Sequence, residues 1–278
     1  MKHFLLLTTL IFTSGCAGLN LHVKDNNPYK SSVKLSKQIF TVVCKEDEGL
    51  RECVELRPTE FNASGTIVAE NKEHSFIMTA GHFCQSVEES PDKLDAIFKS
   101  NQIPPDAMPY FEDATFISTT IVFDYLGNAY FSRLVAYEVE DTDLCLVVTD
   151  RKMQFRPVPV AEEDPKLGDK IFMASAPMGI HYPGSIIILD GFYSGFLWHP
   201  FFNKPTYAVT DFPLLPGSSG AGILNAKGEI VSAAFATNMA FPFDSFGVPR
   251  NQIADFLNRH LDLEPRNKFR EWFNRLFD

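Results

Sequence analysis

The sequence predicts an all-β fold, built of many short strands in a sandwich or barrel arrangement. Two observations lead there. Short apolar runs rich in Val, Ile, Phe and Thr recur between turn signals, as strands of about five residues do. The runs do not alternate with amphipathic helices, so the βαβ units of a parallel sheet are not indicated. In chain order the runs are Ile39 to Val43, Ser64 to Val68, Phe76 to Thr79 and Thr119 to Phe123. Leu144 to Val148, Lys170 to Ala174, Ser185 to Leu189, Ala208 to Thr210 and Glu229 to Ala234 follow. Gly127-Asn128 sits between two runs and fits a hairpin turn.

Two segments break the pattern. Gln85 to Asp113 is polar and acidic, contains Pro104-Pro105, and reads as a loop insertion with one helical turn. A plain surface excursion is its commoner explanation, and shaping a cleft is the alternative. The C-terminus is helical by period: Phe269, Trp272, Phe273, Leu276 and Phe277 recur at i, i+3, i+4, i+7 and i+8. Arg266, Lys268, Arg270 and Arg275 lie elsewhere around that turn. Docking onto the barrels is the favoured reading, and membrane or partner binding the alternative. A helix over Gln252 to His260 leads into it.

At 278 residues and 45% apolar content, the chain suits one large domain or two small lobes with a sizeable core. Its net charge of −10 argues against general nucleic-acid binding, which needs a surplus of Lys and Arg. The N-terminus carries a basic start at Met1-Lys2-His3 and an apolar run from Phe4 to Phe12 that is short for a membrane span. Thr13-Ser14-Gly15-Cys16 follows. Residues 1–16 thus read as an export signal ending in a lipidation site at Cys16, although Thr13 stands where leucine is usual. The alternative is an ordinary secretory signal cut near Ala17. Residues 17–33 are polar and read as a tether.

Four further cysteines, Cys44, Cys53, Cys84 and Cys145, would meet oxidising conditions in an exported chain. Cys44 and Cys53 flank a polar turn and could bridge a hairpin. For Cys84 and Cys145, free buried thiols are the favoured reading and pairing the alternative.

The chemistry sits in three short stretches. His82 follows the apolar run Phe76 to Thr79 and the small pair Ala80-Gly81. Asp143 opens the run Leu144 to Val148, and an acid leading a buried strand needs a partner such as a histidine Nδ1–H. Asp141 is the competing acid. Pro216-Gly217-Ser218-Ser219-Gly220 supplies a serine after a glycine that permits a tight turn. The glycine placement favours Ser219 over Ser218, and the amides of Gly217 and Ser219 would converge on an oxyanion. A base must activate the serine and an acid must orient the base, so the order His, Asp, Ser reads as a nucleophilic triad. Neither HExxH nor paired CxxC spacing occurs, so no metal site and no cofactor is expected.

The blocks TAGH, DTDLCLV and TDFPLLPGSSGAGI resemble the signatures of trypsin-like serine proteases, closest to the bacterial HtrA-like branch. Leu167 to Ile171 with Ala176 to Gly179, Asn225 to Val231 and Phe246 to Asn251 extend the likeness over roughly Phe40 to Leu261. The resemblance implies two six-stranded antiparallel β-barrels with C-terminal helices. A protease domain over 34–261, an amphipathic helix over 262–278 and no PDZ segment complete the expected organisation. It further implies a serine endopeptidase acting on protein or peptide substrates, in the cell envelope given the N-terminus. In it Leu214, with Phe212 and Pro213, would wall the primary pocket, and Phe235, Ala236 and Thr237 would line the substrate backbone. No aspartate falls at the pocket base, so a small or medium apolar P1 residue is expected. Departures are Ala221 and Gly222 where glycine and proline are usual, and Cys145 where alanine is common. A non-catalytic binding module of the same fold and an esterase are the competing readings. Oligomeric state is not legible.

Overall fold

The computed structural model describes residues 27–47, 50–104, 114–199, 204–210, 213–237 and 245–261. The export signal with Cys16, the first part of the tether, Phe212 and the expected helix over 262–278 lie outside these residues.

The first sheet has seven strands: β1 (Ser32–Asp47), β2 (Leu50–Glu55), β3 (Thr59–Glu70), β4 (Ser75–Ala80), β5 (Thr115–Phe123), β6 (Ala129–Glu138) and β7 (Leu144–Thr149). They pair antiparallel in the order β2-β1-β3-β4-β7-β6-β5, and a further β1–β5 pairing closes six of them into a barrel. Closure leaves those six without an edge, while β2 continues β1 outward as a hairpin. Cys44 and Cys53 are directly opposed in that hairpin and form a disulfide. The second barrel closes in the order β10-β13-β12-β11-β8-β9. Its strands are β8 (Lys170–Ser175), β9 (Ile187–His199), β10 (Lys204–Thr210), β11 (Gly222–Leu224), β12 (Ile230–Thr237) and β13 (Ser245–Pro249). The expected all-β architecture of two six-stranded antiparallel barrels is therefore the one found.

Every residue of β4 and β7 is buried, which explains why both read as continuous apolar runs rather than alternating ones. Their side chains divide by period two. Ile77, Cys145 and Val147 fill the first barrel, while Phe76, Met78, Leu144, Leu146 and Val148 face the second. That inter-barrel core also takes Phe235 and Val248 from the second barrel and Ile253, Phe256 and Leu257 from the helix α3 (Arg250–His260). Each such Leu, Ile or Phe contributes about 1.5–3 kcal/mol by leaving water, so the barrels are fused by apolar burial.

Three expectations change. Residues 28–33 are not tether: Pro28–Ser31 form a helical turn, Ser31 Oγ donates to the Arg156 carbonyl (2.6 Å), and Ser32 Oγ donates to the Ala174 carbonyl (2.6 Å). The insertion holds more than one helical turn. After a short turn α1 (Gly81–Cys84) it forms α2 (Pro91–Ser100), which docks Ile97 with Val87 against Ile39 of β1. Pro91 at the first helical turn is preorganised for that start. Finally, Cys84 and Cys145 are bonded as a disulfide rather than free thiols. α1 packs on β7, which brings the two sulfurs together across the first barrel.

Candidate active site

Strand register explains why His82 and Asp143 meet. Ala80 at the end of β4 stands opposite Leu144 at the start of β7, so the residues just beyond these ends fall side by side. The Gly81 amide donates to the Asp143 carbonyl (2.9 Å) and extends the ladder. Only glycine fits there, because a Cβ would sit 2.1 Å from the Glu138 carbonyl oxygen. Asp143 is 5% exposed and has φ of 56°, a left-handed conformation that costs about 1–3 kcal/mol for a residue with a Cβ. Its carboxylate offsets that cost by accepting from the His82 amide (2.7 Å, Oδ1) and sitting 2.9 Å from His82 Nδ1 (Oδ2). A carboxylate on Nδ1 places the Nδ1–H tautomer, leaving Nε2 as the basic nitrogen. The competing Asp141 is exposed.

The serine turn lies between β10 and β11. Ser218 is fully buried, its Oγ 3.4 Å from Ser175 Oγ, whereas Ser219 lines the same cleft as His82 and Asp143. Gly217 has φ of 89°, and a Cβ there would lie 2.9 Å from the Ala176 carbonyl oxygen. The Ser218 amide donates to Leu215 (2.9 Å) and that of Gly220 to Ala234 (2.7 Å). The amides of Gly217 and Ser219 have no hydrogen-bond partner among the described residues. Two unspent donors thus flank the serine, as anion stabilisation requires.

The cleft has a volume of about 530 Å³. One wall comes from the first barrel and its insertion, with Phe61, Asn62, Ser90, Asp92 and Lys93; the other carries Pro216, Gly217 and Phe235. The insertion therefore shapes the cleft and is not a plain surface excursion. Burial first, and then the charge of Lys37, push the Lys93 ammonium down to about 7. Of the expected substrate contacts, Phe235 lies on the cleft. Ala236 and Thr237 continue β12 half-buried beyond it. Leu214 is not among the residues that line it: Leu214 is buried in the second barrel with Ile171, Tyr193 and Val231, and the following Leu215 and Pro216 are exposed.

A family model for the trypsin-like peptidase domain matches residues 63–232, spanning all three stretches. The chain belongs to this family. The peptidase fold is similar to that of Rv3671c from M. tuberculosis H37Rv, solved as a serine-to-alanine mutant in its inactive form. That likeness covers 88% of this chain and 96% of the other, with a TM-score of 0.53 at 11% sequence identity. No curated protein sequence matches the chain.

One residue of this peptidase domain escaped sequence reasoning. Ser64 of β3 is fully buried and sews the first barrel to the serine turn. Its Oγ donates to the Gly217 carbonyl (2.7 Å) and accepts from the Ala176 amide (2.9 Å), while its own amide donates to the Ser219 carbonyl (3.0 Å). Its carbonyl accepts from Thr79 Oγ1 (2.7 Å), linking the turn to the strand that carries His82. A serine opening an apolar run offers no signal for contacts across a sequence separation of 153.

Proposed function

We propose that the chain is a serine endopeptidase in which His82, Asp143 and Ser219 form the catalytic triad. The observation that carries the reading is their convergence in one cleft beside two unspent amides. Membership of a peptidase family implies a protein or peptide substrate. In the proposed reaction His82 Nε2 takes the Ser219 proton as Oγ attacks the scissile carbonyl. Asp143 holds the ring and stabilises the imidazolium, and the Gly217 and Ser219 amides receive the oxyanion, each such donor being worth about 2.7–4 kcal/mol. His82 then protonates the leaving amine, the acyl-enzyme forms, and water attacks it with His82 again as base.

The cleft's acidic lining groups, Asp92 and Asp143, both belong to the first barrel and its insertion, and Asp143 is committed to His82. On the side of Phe235 the lining has no acid among the described residues to attract Lys or Arg, which supports cleavage after small or medium apolar residues. The export signal and Cys16 support a site of action in the bacterial cell envelope, with membrane anchoring through a lipid on that cysteine.

Labelling with a fluorophosphonate tests the triad. The wild type should label and Ser219→Ala should not; equal labelling of both would falsify the assignment. A peptide-library digest then reads the P1 residue, and a preference for Lys or Arg would overturn the apolar pocket.

A further inference from the structure

Lys37 of β1 and Lys93 of α2 are 5% and 6% exposed, and neither forms an ion pair among the described residues. Their amines converge on one target. Lys37 Nζ donates to the carbonyls of Gln85 (2.7 Å), Cys84 (3.3 Å) and Phe83 (3.4 Å). Lys93 Nζ donates to those of Gln85 (2.5 Å) and Phe83 (3.0 Å). The two amines share the Gln85 and Phe83 carbonyls as acceptors, so they lie side by side. These carbonyls close the C-terminal end of α1, whose second residue is His82.

A four-residue turn cannot hold itself, since helix nucleation is unfavourable and its last carbonyls lack intrahelical partners. The bond from the Gln85 amide to the Gly81 carbonyl (3.2 Å) is weak support. Cationic side chains at a helix C-terminus satisfy those carbonyls and match its dipole. We propose that Lys37 and Lys93 are positioning residues, gripping the Phe83, Cys84 and Gln85 carbonyls so that the turn presents His82 to Asp143 and the cleft. The proposal rests on the triad reading, but its tests separate from it.

Two buried ammonium groups in contact repel, and burial disfavours both charges. Glu88 and Glu89 are the facing acids, and they favour the charged forms only in part. One amine therefore sheds its proton in the neutral range, and Lys93 is the one pushed furthest. In the unfolded chain the same lysine keeps its proton to the ordinary lysine range. Between about 7 and about 10 the unfolded state thus binds more protons, and this pair makes stability rise with pH.

The experiments use the mature chain. Lys93→Met and Lys37→Met should each lower kcat by about tenfold or more, and for Lys37, which does not line the cleft, KM should stay within about twofold, because the turn and not a substrate contact is loosened. Wild-type kcat in both variants would overturn the proposal. On a Ser219→Ala background, Lys93→Met should flatten the rise of unfolding free energy with pH, and an unchanged slope counts against the pair. If either variant fails to fold, 13Cε-lysine NMR on Ser219→Ala alone should show one lysine titrating near neutrality. Ordinary titration of every lysine would overturn the arrangement. Failure of the triad reading shows separately, as wild type that does not label with fluorophosphonate. In that case the downfield Nδ1 proton of His82 decides: it should broaden or vanish in Ser219→Ala/Lys93→Met, and an unaltered signal would refute positioning.

Discussion

Ser218 and Ser219 are adjacent and chemically identical, yet the backbone gives them opposite roles. The left-handed Gly217 turns the chain so that Ser218 points into the protein towards Ser175 and Ser219 into the cleft. The same residue aims its own amide. Its carbonyl is held by Ser64 Oγ, and the preceding Pro216 carbonyl accepts from the Met178 amide, so the peptide joining them is fixed at both ends. Gly217→Ala would place a Cβ 2.9 Å from the Ala176 carbonyl and 3.0 Å from the Met178 amide, all backbone atoms that cannot swing aside. The turn must then rotate and its amide leave the oxyanion position. In the proposed mechanism this costs about 10²–10³-fold in kcat with KM little changed, because the donor acts on the transition state. Steady-state kinetics on a peptide substrate checks it, and an equal rise in KM at constant kcat would contradict the role. Ser64→Ala leaves the Ala176 amide without its acceptor and should lower stability by about 1–3 kcal/mol, read by denaturant unfolding.

At the scale of elements, the ends of β4 and β7 are the foundation of the site, and the Cys84–Cys145 disulfide ties them again two residues beyond His82 and Asp143. The two disulfides differ in reach. Cys84–Cys145 spans 61 residues and Cys44–Cys53 only 9. In the chain-entropy model these loops correspond to about 4 and about 2.5 kcal/mol of stability. Cys84→Ser/Cys145→Ser should therefore destabilise more in denaturant unfolding, and lower kcat as well. Cys44→Ser/Cys53→Ser removes a link in a hairpin outside the barrel and should leave kcat unchanged; a reversed ranking would show that the site does not depend on the long link. The pattern of what the sequence disclosed follows the same physics. β4 and β7 were legible because burial on both faces keeps Phe76 to Met78 and Leu144 to Val148 apolar without a break. β6 was not, since its half-buried face interrupts the pattern with Ser132, Arg133 and Glu138, and β11 has three residues only. β9 was seen over its first residues alone, because Ser194 and Gly195 interrupt its later course. α2 carried Pro91, Leu94, Ile97 and Phe98 at helical spacing, but its charges and flanking prolines read as loop. His82, Asp143 and Ser219 were legible because each has diagnostic neighbours in the chain. Ser64 and Lys37 act through contacts distant in sequence, and Lys93 through backbone carbonyls of a preceding turn, none of which leaves a local motif.

Considered whole, the molecule is two barrels fused along an apolar seam, with the cleft where the first barrel's strand ends meet the second barrel's serine turn. Among the described residues, packing at the N-terminal end starts with Pro28: a Cβ on Gly228 would fall 2.6 Å from its ring. From Cys16 to Asn27 only eleven residue steps remain, and a fully extended chain spans at most about 3.6 Å per residue, roughly 40 Å in all. A lipid on Cys16 would therefore confine the cleft to substrates close to the membrane surface. Among the described residues, the triad and the cleft are built from Phe61 onward, so anchoring and chemistry should separate. Cys16→Ala is expected to move the protein from the membrane to the soluble fraction while kcat/KM on a small soluble peptide stays the same. The mature wild-type N-terminus should carry acyl mass on Cys16, since several chains are needed for stable attachment. An unmodified N-terminus beginning near Ala17 would reject lipidation and leave a freely diffusing peptidase. Cleavage of a membrane-tethered substrate gives the sharper contrast: it should fall in Cys16→Ala, because the effective concentration supplied by the short tether is lost.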